Sequence, residues 1–390
     1  MSSDKKLLSD FATVISGYAF KSEWFGTGND KVIRIGDLQQ GSIQTEAALT
    51  VDASQYKISD NFKIQNKDIL MALSGATVGK IAVASGADVG SYINQRVAII
   101  RAKDEITADY LKFFFSGEFL DDLLKNAGGA AQPNLSPKQL LLMEIPFPPL
   151  EEQRRIASIL DQADELRQKR QQAIEKLDQL LQATFIDMFG DPVSNPKGWD
   201  LGKLGDVIHS AKDGPHVSPS YSETGIPFLS TRHVRAGKIV WDDLKFITEE
   251  DAQIHWKKCK PTRGDILYTK GGTTGLAAVV DTDLDFAVWV HVALLKTNHD
   301  KVRSEWLVSM LNTQYCYEQS QRYTHGIANR DLGLKRMVNI EMFIPPLDEQ
   351  DKFVNFKNKL LKNNLLFESS YSSLEQLFKS LQNQAFNGTL

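Results

Sequence analysis

At 390 residues, with 42% hydrophobic and 24% charged residues, the chain can bury more than one core and has the composition of an ordinary globular protein. Its net charge of −4, from 45 Lys and Arg against 49 Asp and Glu, excludes an indiscriminate polyanion binder. No apolar run approaches the roughly 20 residues of a membrane span, and two cysteines, Cys259 and Cys316, are too few for a disulfide framework. The opening MSSDKKLLSDFATVISG has only a short, Asp-interrupted apolar stretch in place of a secretory signal, so a cytoplasmic location is expected.

In chain order, residues 1–150 begin with short apolar or alternating runs, KVIRIG, DILMALSG, KIAVAS and VAIIRA, separated by Gly, Asn and Asp. These read as strands and turns. ADYLKFFFSGEFLDDLLKN then carries apolar residues at helical spacing, which makes the domain α+β. PFPP forms a stiff extended joint, because the residue ahead of a proline disfavours α geometry. Residues 151–189 form one helix, ended by Gly190, Asp191 and Pro192, with a stripe of Ile156, Leu160, Ala163, Leu166, Arg170, Ile174, Leu177, Leu181 and Met188. At about 1.5 Å per residue it is a rod of roughly 55 Å. Residues 190–346 follow the plan of the first domain, SEWLVSMLNTQYCYEQSQ included. Residues 347–390 make the second rod, with Phe353, Phe356, Leu360, Leu366, Leu374, Leu377, Leu381 and Ala385 on its stripe.

The chain is an internal repeat. LSDF at 8–11 returns as LGDV at 204–207, IRIGDLQQGSI at 33–43 as LSTRHVRAGKI at 229–239, and NKDIL at 66–70 as RGDIL at 263–267. RVAII at 96–100 matches HVALL at 291–295, GGAAQPNL at 128–135 matches HGIANRDL at 325–332, and PPLEEQ at 148–153 matches PPLDEQ at 345–350. The offset stays between 195 and 197 residues. A lone amphipathic rod leaves its apolar stripe exposed, so two in one chain most simply pair with each other. An internal pseudo-two-fold then makes the pair an antiparallel coiled coil joining two similar domains.

With this organisation the sequence resembles the specificity subunits of Type I restriction-modification systems, over essentially the whole chain. The likeness is carried by the PPL-x-EQ joints, the helix EEQRRIASILDQADELRQKRQQAIEKLDQLLQATFIDMFGDP, and the stretches SGATVGK and INQRVAII. It implies two target-recognition domains that read a split, asymmetric sequence in double-stranded DNA. It also implies a non-catalytic subunit that docks two DNA methyltransferase (modification) subunits through its helices and, in the full complex, two restriction subunits. S-adenosylmethionine, Mg and ATP would then belong to those partners, with no cofactor on this chain and no membrane association. The rival class is a protein-scaffolding adaptor without a DNA role. The third is an autonomous nuclease or methylase.

Residue types bear on these alternatives. SGATVGK has three residues between Gly75 and Gly79-Lys80, then Ile81, where a Walker loop needs four and a following Ser or Thr. GGTTGLA in the second half lacks the lysine too, so a Gly-rich turn is the better account. His255 and Cys259 are four apart, but nothing completes a metal set. No Asn-Pro-Pro-aromatic tetrapeptide and no G-x-S-x-G elbow are present. All seven histidines, both cysteines and five of the six tryptophans lie beyond residue 190, so two different surfaces sit on one frame. Base edges suit Arg, Lys, Asn and Gln, and phosphates suit basic and hydroxyl groups on loops. The DNA-contact candidates are Lys21, Arg34, Ser74, Thr77, Lys80, Gln95, Arg96 and Gln132 in the first domain. In the second they are Lys212, His216, Arg232, His233, Arg235, Lys270, Thr273, Thr274, Asn329 and Arg330.

Overall fold

A computed structural model describes residues 5–39, 41–75, 77–117, 120, 135–326 and 330–390. They fall into two compact units, Met1–Gln172 with Glu368–Leu390, and Ala173–Phe367. Each long helix is therefore divided between the units, rather than forming a segment of its own.

In the first unit an antiparallel sheet runs, in spatial order, Ala12–Ser16, Val97–Ala102, Ile69–Ala72 and Ile81–Val83. Its inner strands are buried on both faces. Ile69, Met71, Ala98 and Ile100 pack toward one core, and Leu70, Ala72, Val97 and Ile99 toward another. Alternating side chains point to opposite faces, so a strand covered on both sides needs the unbroken apolar run seen in DILMA and VAII. The first core is closed by the helix Glu105–Phe115, whose N-cap Asp104 accepts from Thr107 N. A smaller sheet holds Leu49–Val51, Asp30–Ile33 and Tyr92–Ile93, the last two parallel.

The second unit repeats the main sheet strand for strand, while its smaller sheet gains a fourth strand, Tyr221–Ser222, paired with Lys245–Ile247. Its main sheet is Ile208–Asp213, Val292–Thr297, Ile266–Thr269 and Ala277–Val279. The parallel pair Phe228↔Ala287 matches Val32↔Tyr92. One clear departure is the helix Glu249–Lys258, capped by Thr248. The two halves carry no matching sequence in that region.

The long helices run Leu150–Phe189 and Leu347–Asn387. In the first unit Ile156, Leu160 and Ala163 share a core with Phe378, Ala385 and Phe386. Arg155 donates to Leu390 O at 2.8 Å, while Arg167 pairs with Glu375 at 2.6 Å, so residue numbers rise on one helix as they fall on the other. In the second unit Phe185 and Phe189 pack on Phe353, at ring-centroid distances of 5.3 and 5.6 Å.

The sequence-based stripes need one correction. Leu166, Leu366 and Leu377 are 55%, 66% and 50% exposed. The alternating four-and-three step passes instead through Arg167 and Phe378, with the Arg167 guanidinium 4.8 Å from the Phe378 ring. A helix turns about 100° per residue, so choosing the apolar neighbour over Arg167 moves off the seam. Ile156, Leu160 and Phe353 are buried; Ile174, Leu177, Leu181, Phe356, Leu360, Leu374 and Leu381 are half-buried.

The recurring hexapeptide has a structural cause in its last residue. Gln153 and Gln350 are fully buried. Gln153 Nε2 donates to Pro148 O at 2.8 Å, and its Oε1 accepts from Thr107 Oγ1 at 3.2 Å. Gln350 Nε2 donates to Pro345 O at 2.8 Å and to Lys301 O at 3.2 Å, and its Oε1 accepts from Arg303 N at 2.8 Å. Replacing Gln350 by Ala strands these buried groups and should cost about 2 kcal/mol, read from denaturant unfolding. An unchanged midpoint would refute this role for Gln350.

Lys357 supplies a second test. It lies on the seam, buried, with Nζ donating to Glu305 O at 3.1 Å and Ser309 Oγ at 2.9 Å. Burial pushes its ammonium down from 10.5 to about 8. Between those pH values the unfolded chain keeps a proton that the folded chain has lost, so this lysine makes stability rise with pH across that window. We expect Lys357→Met to raise stability near neutral pH by about 2 kcal/mol and to flatten that rise. Equal pH slopes in melts of the two proteins would contradict the assignment.

Candidate nucleic-acid interface

Strand register brings several loops to one rim of each main sheet. In the first unit Ser16 pairs with Ala98 and Ala72 with Val97, so the loops at 17–21, 73–80 and 94–96 leave the sheet together. They are tied by backbone bonds: Gly17 N to Val97 O (3.0 Å), Gln95 N to Tyr18 O (2.9 Å) and Leu73 N to Arg96 O (2.9 Å). Gly17 is required there, because a Cβ would stand 2.2 Å from Asn94 O.

This rim exposes Lys21, Thr77, Gln95 and Arg96, and half-exposes Ser74 and Lys80. Arg34 lies beside it, since Asn94 N donates to Ile33 O at 2.9 Å; its guanidinium is 3.5 Å from Asp37. Lys21 Nζ stands 5.6 Å from the Trp24 ring, which stacks on Tyr56. Three amides of the Gly75–Gly79 turn are used within it: Val78 N donates to Gly75 O, Gly79 N to Ala72 O and Lys80 N to Thr77 O. Both glycines have positive φ, so this is a strand-connecting turn. Gln132 lies outside the described residues.

The second unit assembles the equivalent rim. Lys270 N and Gly271 N donate to His291 O, Leu332 N to Lys270 O, and Gly272 N to Arg330 O. Gly214 occupies the place of Gly17, and a Cβ on it would stand 2.3 Å from Val288 O. Lys212, His216, Thr273 and Arg330 are exposed on these loops, and Arg235 is exposed after the turn Thr231–His233. Arg330 donates to Gln321 Oε1. Arg232 is held by Asp243 at 2.8 Å. Asn329 lies outside the described residues.

Three candidates are turned inward. Lys270 has a side chain only 7% exposed, lying 3.3 Å from Asp213 and 3.0 Å from Asp331. Lys258 completes this network at 2.5 Å from Asp213. Burial works to raise the Asp213 carboxyl, yet Lys258 and then Lys270 outweigh it and hold the group below its usual range. Thr274 is buried, its hydroxyl accepting from Thr324 at 3.0 Å. His233 is buried with Nδ1 accepting from Ser230 N at 2.9 Å, the turn-closing role that Asp37 plays for Arg34 N. Burial, assisted by Arg232, pushes its imidazole down. Residue type made these three candidates; backbone geometry gives them internal partners.

His255 and Cys259 are both buried, with burial pushing the Cys259 thiol up to about 11. Among the described residues no group of three His, Cys, Asp or Glu could hold a metal, and no helix is long and apolar enough to cross a membrane. Two rim residues escaped the sequence reading. His291 and His325 are exposed, and the match of RVAII with HVALL already put His291 at the place of Arg96.

Comparison with known proteins adds identity to this geometry. The family model for the Type I restriction modification DNA specificity domain matches twice, over residues 3–176 and 196–376. The chain is 24% identical over 311 residues to the Type I restriction enzyme MjaIX specificity subunit of Methanocaldococcus jannaschii, covering 75% of this chain and 71% of that protein. It is 22% identical to the EcoBI specificity subunit of Escherichia coli, over 98% and 85% of the two chains. The fold is that of the S subunit of a Type I restriction-modification system from M. genitalium, with a TM-score of 0.57, 15% identity and coverage of 98% and 96%. A chain from a Type I R-M system studied for complex assembly gives a TM-score of 0.54 at 18% identity, over 99% and 98%.

The rims depend on their close backbone approaches. Gly214→Ala should lower the stability of the second unit by about 3 kcal/mol, because the obstructing atom is a backbone carbonyl. Gly36→Ala, with nothing within 4 Å of its Cβ, should be near neutral. Thermal melts compare the two, and equal effects would overturn the packing argument.

Proposed function

The chain belongs to the Type I restriction modification DNA specificity family, and from that premise we propose that it is the non-catalytic subunit that reads a bipartite, asymmetric DNA sequence. Each unit takes one half-site through its rim. The observation that carries this reading is the contrast between frame and rim. Strand order and register of the main sheet, the Gly17 and Gly214 contacts and the Gln153 and Gln350 joints recur in both units. The rim side chains differ, with exposed Arg96 answered by exposed His291, and exposed Gln95 by Val290, which is buried. Identical scaffolds with different reading groups suit a sequence whose halves differ.

In this reading Lys21, Thr77, Gln95, Arg96, His216, Thr273 and Arg330 face the duplex, while Lys270, Thr274 and His233 hold the loops that present them. The long helices pair as an antiparallel coiled coil that spaces the domains and docks two modification subunits, with restriction subunits joining the full complex. S-adenosylmethionine, Mg and ATP act on those partners. A net charge of −4 leaves this chain little counterion release of its own, so tight binding needs the cations its partners add.

Exchange of residues 1–150 for the same region of a relative tests the proposal. The complex with modification subunits should then methylate a sequence altered in one half only. An unaltered sequence with altered partner choice would support a protein adaptor instead. Adding four residues to each helix should lengthen the gap between half-sites by about 6 Å, or roughly two base pairs. Mapping of methylated adenines reads both outcomes, and a constant gap would refute the spacer role.

A further inference from the structure

The seven histidines are sorted by position. His233 and His255 are buried. His209 and His299 are exposed at the far edge of the second unit's main sheet, where Ile208 pairs with Thr297. The other three, His216, His291 and His325, are exposed on the candidate rim. His291 sits directly over the turn, its Nδ1 being 2.1 Å from where a Cβ of Gly271 would lie. Gly271 and His325 both bridge to Asp331, and the His216 loop leaves the sheet at Gly214, against Val288 O.

Part of the fixed charge at this rim is spent internally, while Lys212, Arg235 and Arg330 are exposed. Asp213 takes Lys258 and Lys270; Asp331 takes Lys270 and, at 3.6 Å, Arg336. Asp251 accepts from Ser220 N at 2.8 Å, four residues past His216. The Arg330 guanidinium donates to Gln321, and Lys212 is the exposed lysine on the adjoining strand. The first unit, by contrast, has no histidine and offers Lys21, Lys80 and Arg96 at its rim.

Resting on the reading under Proposed function, we infer that His216, His291 and His325 are DNA-contacting, specificity-determining residues, and that they make recognition of the second half-site alone dependent on protonation. Imidazole as a chemical group changes charge within the physiological pH range and can hydrogen-bond in either state. At the equivalent place in the first unit stands Arg96, a guanidinium in place of an imidazole.

The test uses the full chain with its modification subunits and a duplex carrying the sequence that the wild-type complex methylates. Binding should weaken about tenfold between about pH 5.5 and about pH 8, with protection lost first over the second half-site. The slope of log affinity against log salt should be shallower at the higher pH by about 0.9 for each histidine protonated at the lower. The triple variant H216A/H291A/H325A should lose this pH dependence, and H209A/H299A should keep it. His291→Arg should restore binding at high pH, which a merely structural role would not predict. Specific binding with the same pH dependence in the triple variant overturns the inference while leaving the proposed function intact. Absence of specific binding by the wild-type complex at either pH overturns both.

Discussion

A buried glutamine amide at each domain-to-helix joint is the constraint on which the rest of the molecule depends. A proline pair ends an extended strand and opens a helix, and it leaves proline carbonyls in an apolar setting with no amide of their own to offer. Gln153 and Gln350 fold back onto Pro148 O and Pro345 O and use their remaining oxygen on Thr107 and on Arg303 N. Glutamate would bury a charge there, and leucine would leave the polar groups bare. A neutral side chain with both donor and acceptor meets the need. The bond fixes each helix to the domain from which it emerges, and so decides which face of the helix turns toward that domain's core.

The same economy recurs inside the domains. Asp68 closes a turn by accepting from Gln65 N and then pairs with Arg101 on the neighbouring strand at 2.7 Å. Asp265 accepts from Thr262 N and pairs with Lys296 at 2.5 Å. A buried carboxylate is tolerable when it has both a cation and backbone donors, and leaving it with neither would be costly. These pairs sit 195 to 197 residues apart, like the strands they join. Interiors of the two units therefore obey one set of polar rules. The exposed side chains of their rims have diverged, to the point where Arg96 of the first unit is replaced by His291 in the second.

That division explains what could be read from the amino acids alone. The repeat, the strand runs and the long helices were legible because burial on a period of two or of 3.6 leaves a pattern in residue type. The stripe failed where a seam position is polar: Arg167 stays on the seam by laying its guanidinium over the Phe378 ring and pairing it with Asp164 and Glu375. Rim assignments made by residue type had no means of separating Thr273, exposed, from Thr274, buried one residue later. That difference comes from Thr324 and Gln321, about fifty residues downstream. His291 was a different kind of omission. Its alignment with Arg96 is visible in the repeat, so its place in the frame marks it where its side-chain type does not.

Polar seam residues also bear on how two such helices find each other. Arg167 needs Glu375, and Lys357 needs the Glu305 carbonyl and Ser309 hydroxyl of its own domain. Asn364, seven residues after Lys357, has a buried Oδ1 without a hydrogen-bond partner among the described residues. Each reduces the stability that leucine would supply at its position. A seam of leucines would be satisfied by any similar helix, including one from another copy of the chain. A seam position such as Arg167, whose cation is met by one carboxylate of the other helix, loses that partner in any other register. Arg167, the residue that makes the stripe hard to read in the sequence, is thus the one whose ion pair with Glu375 ties the two helices to one register where they meet.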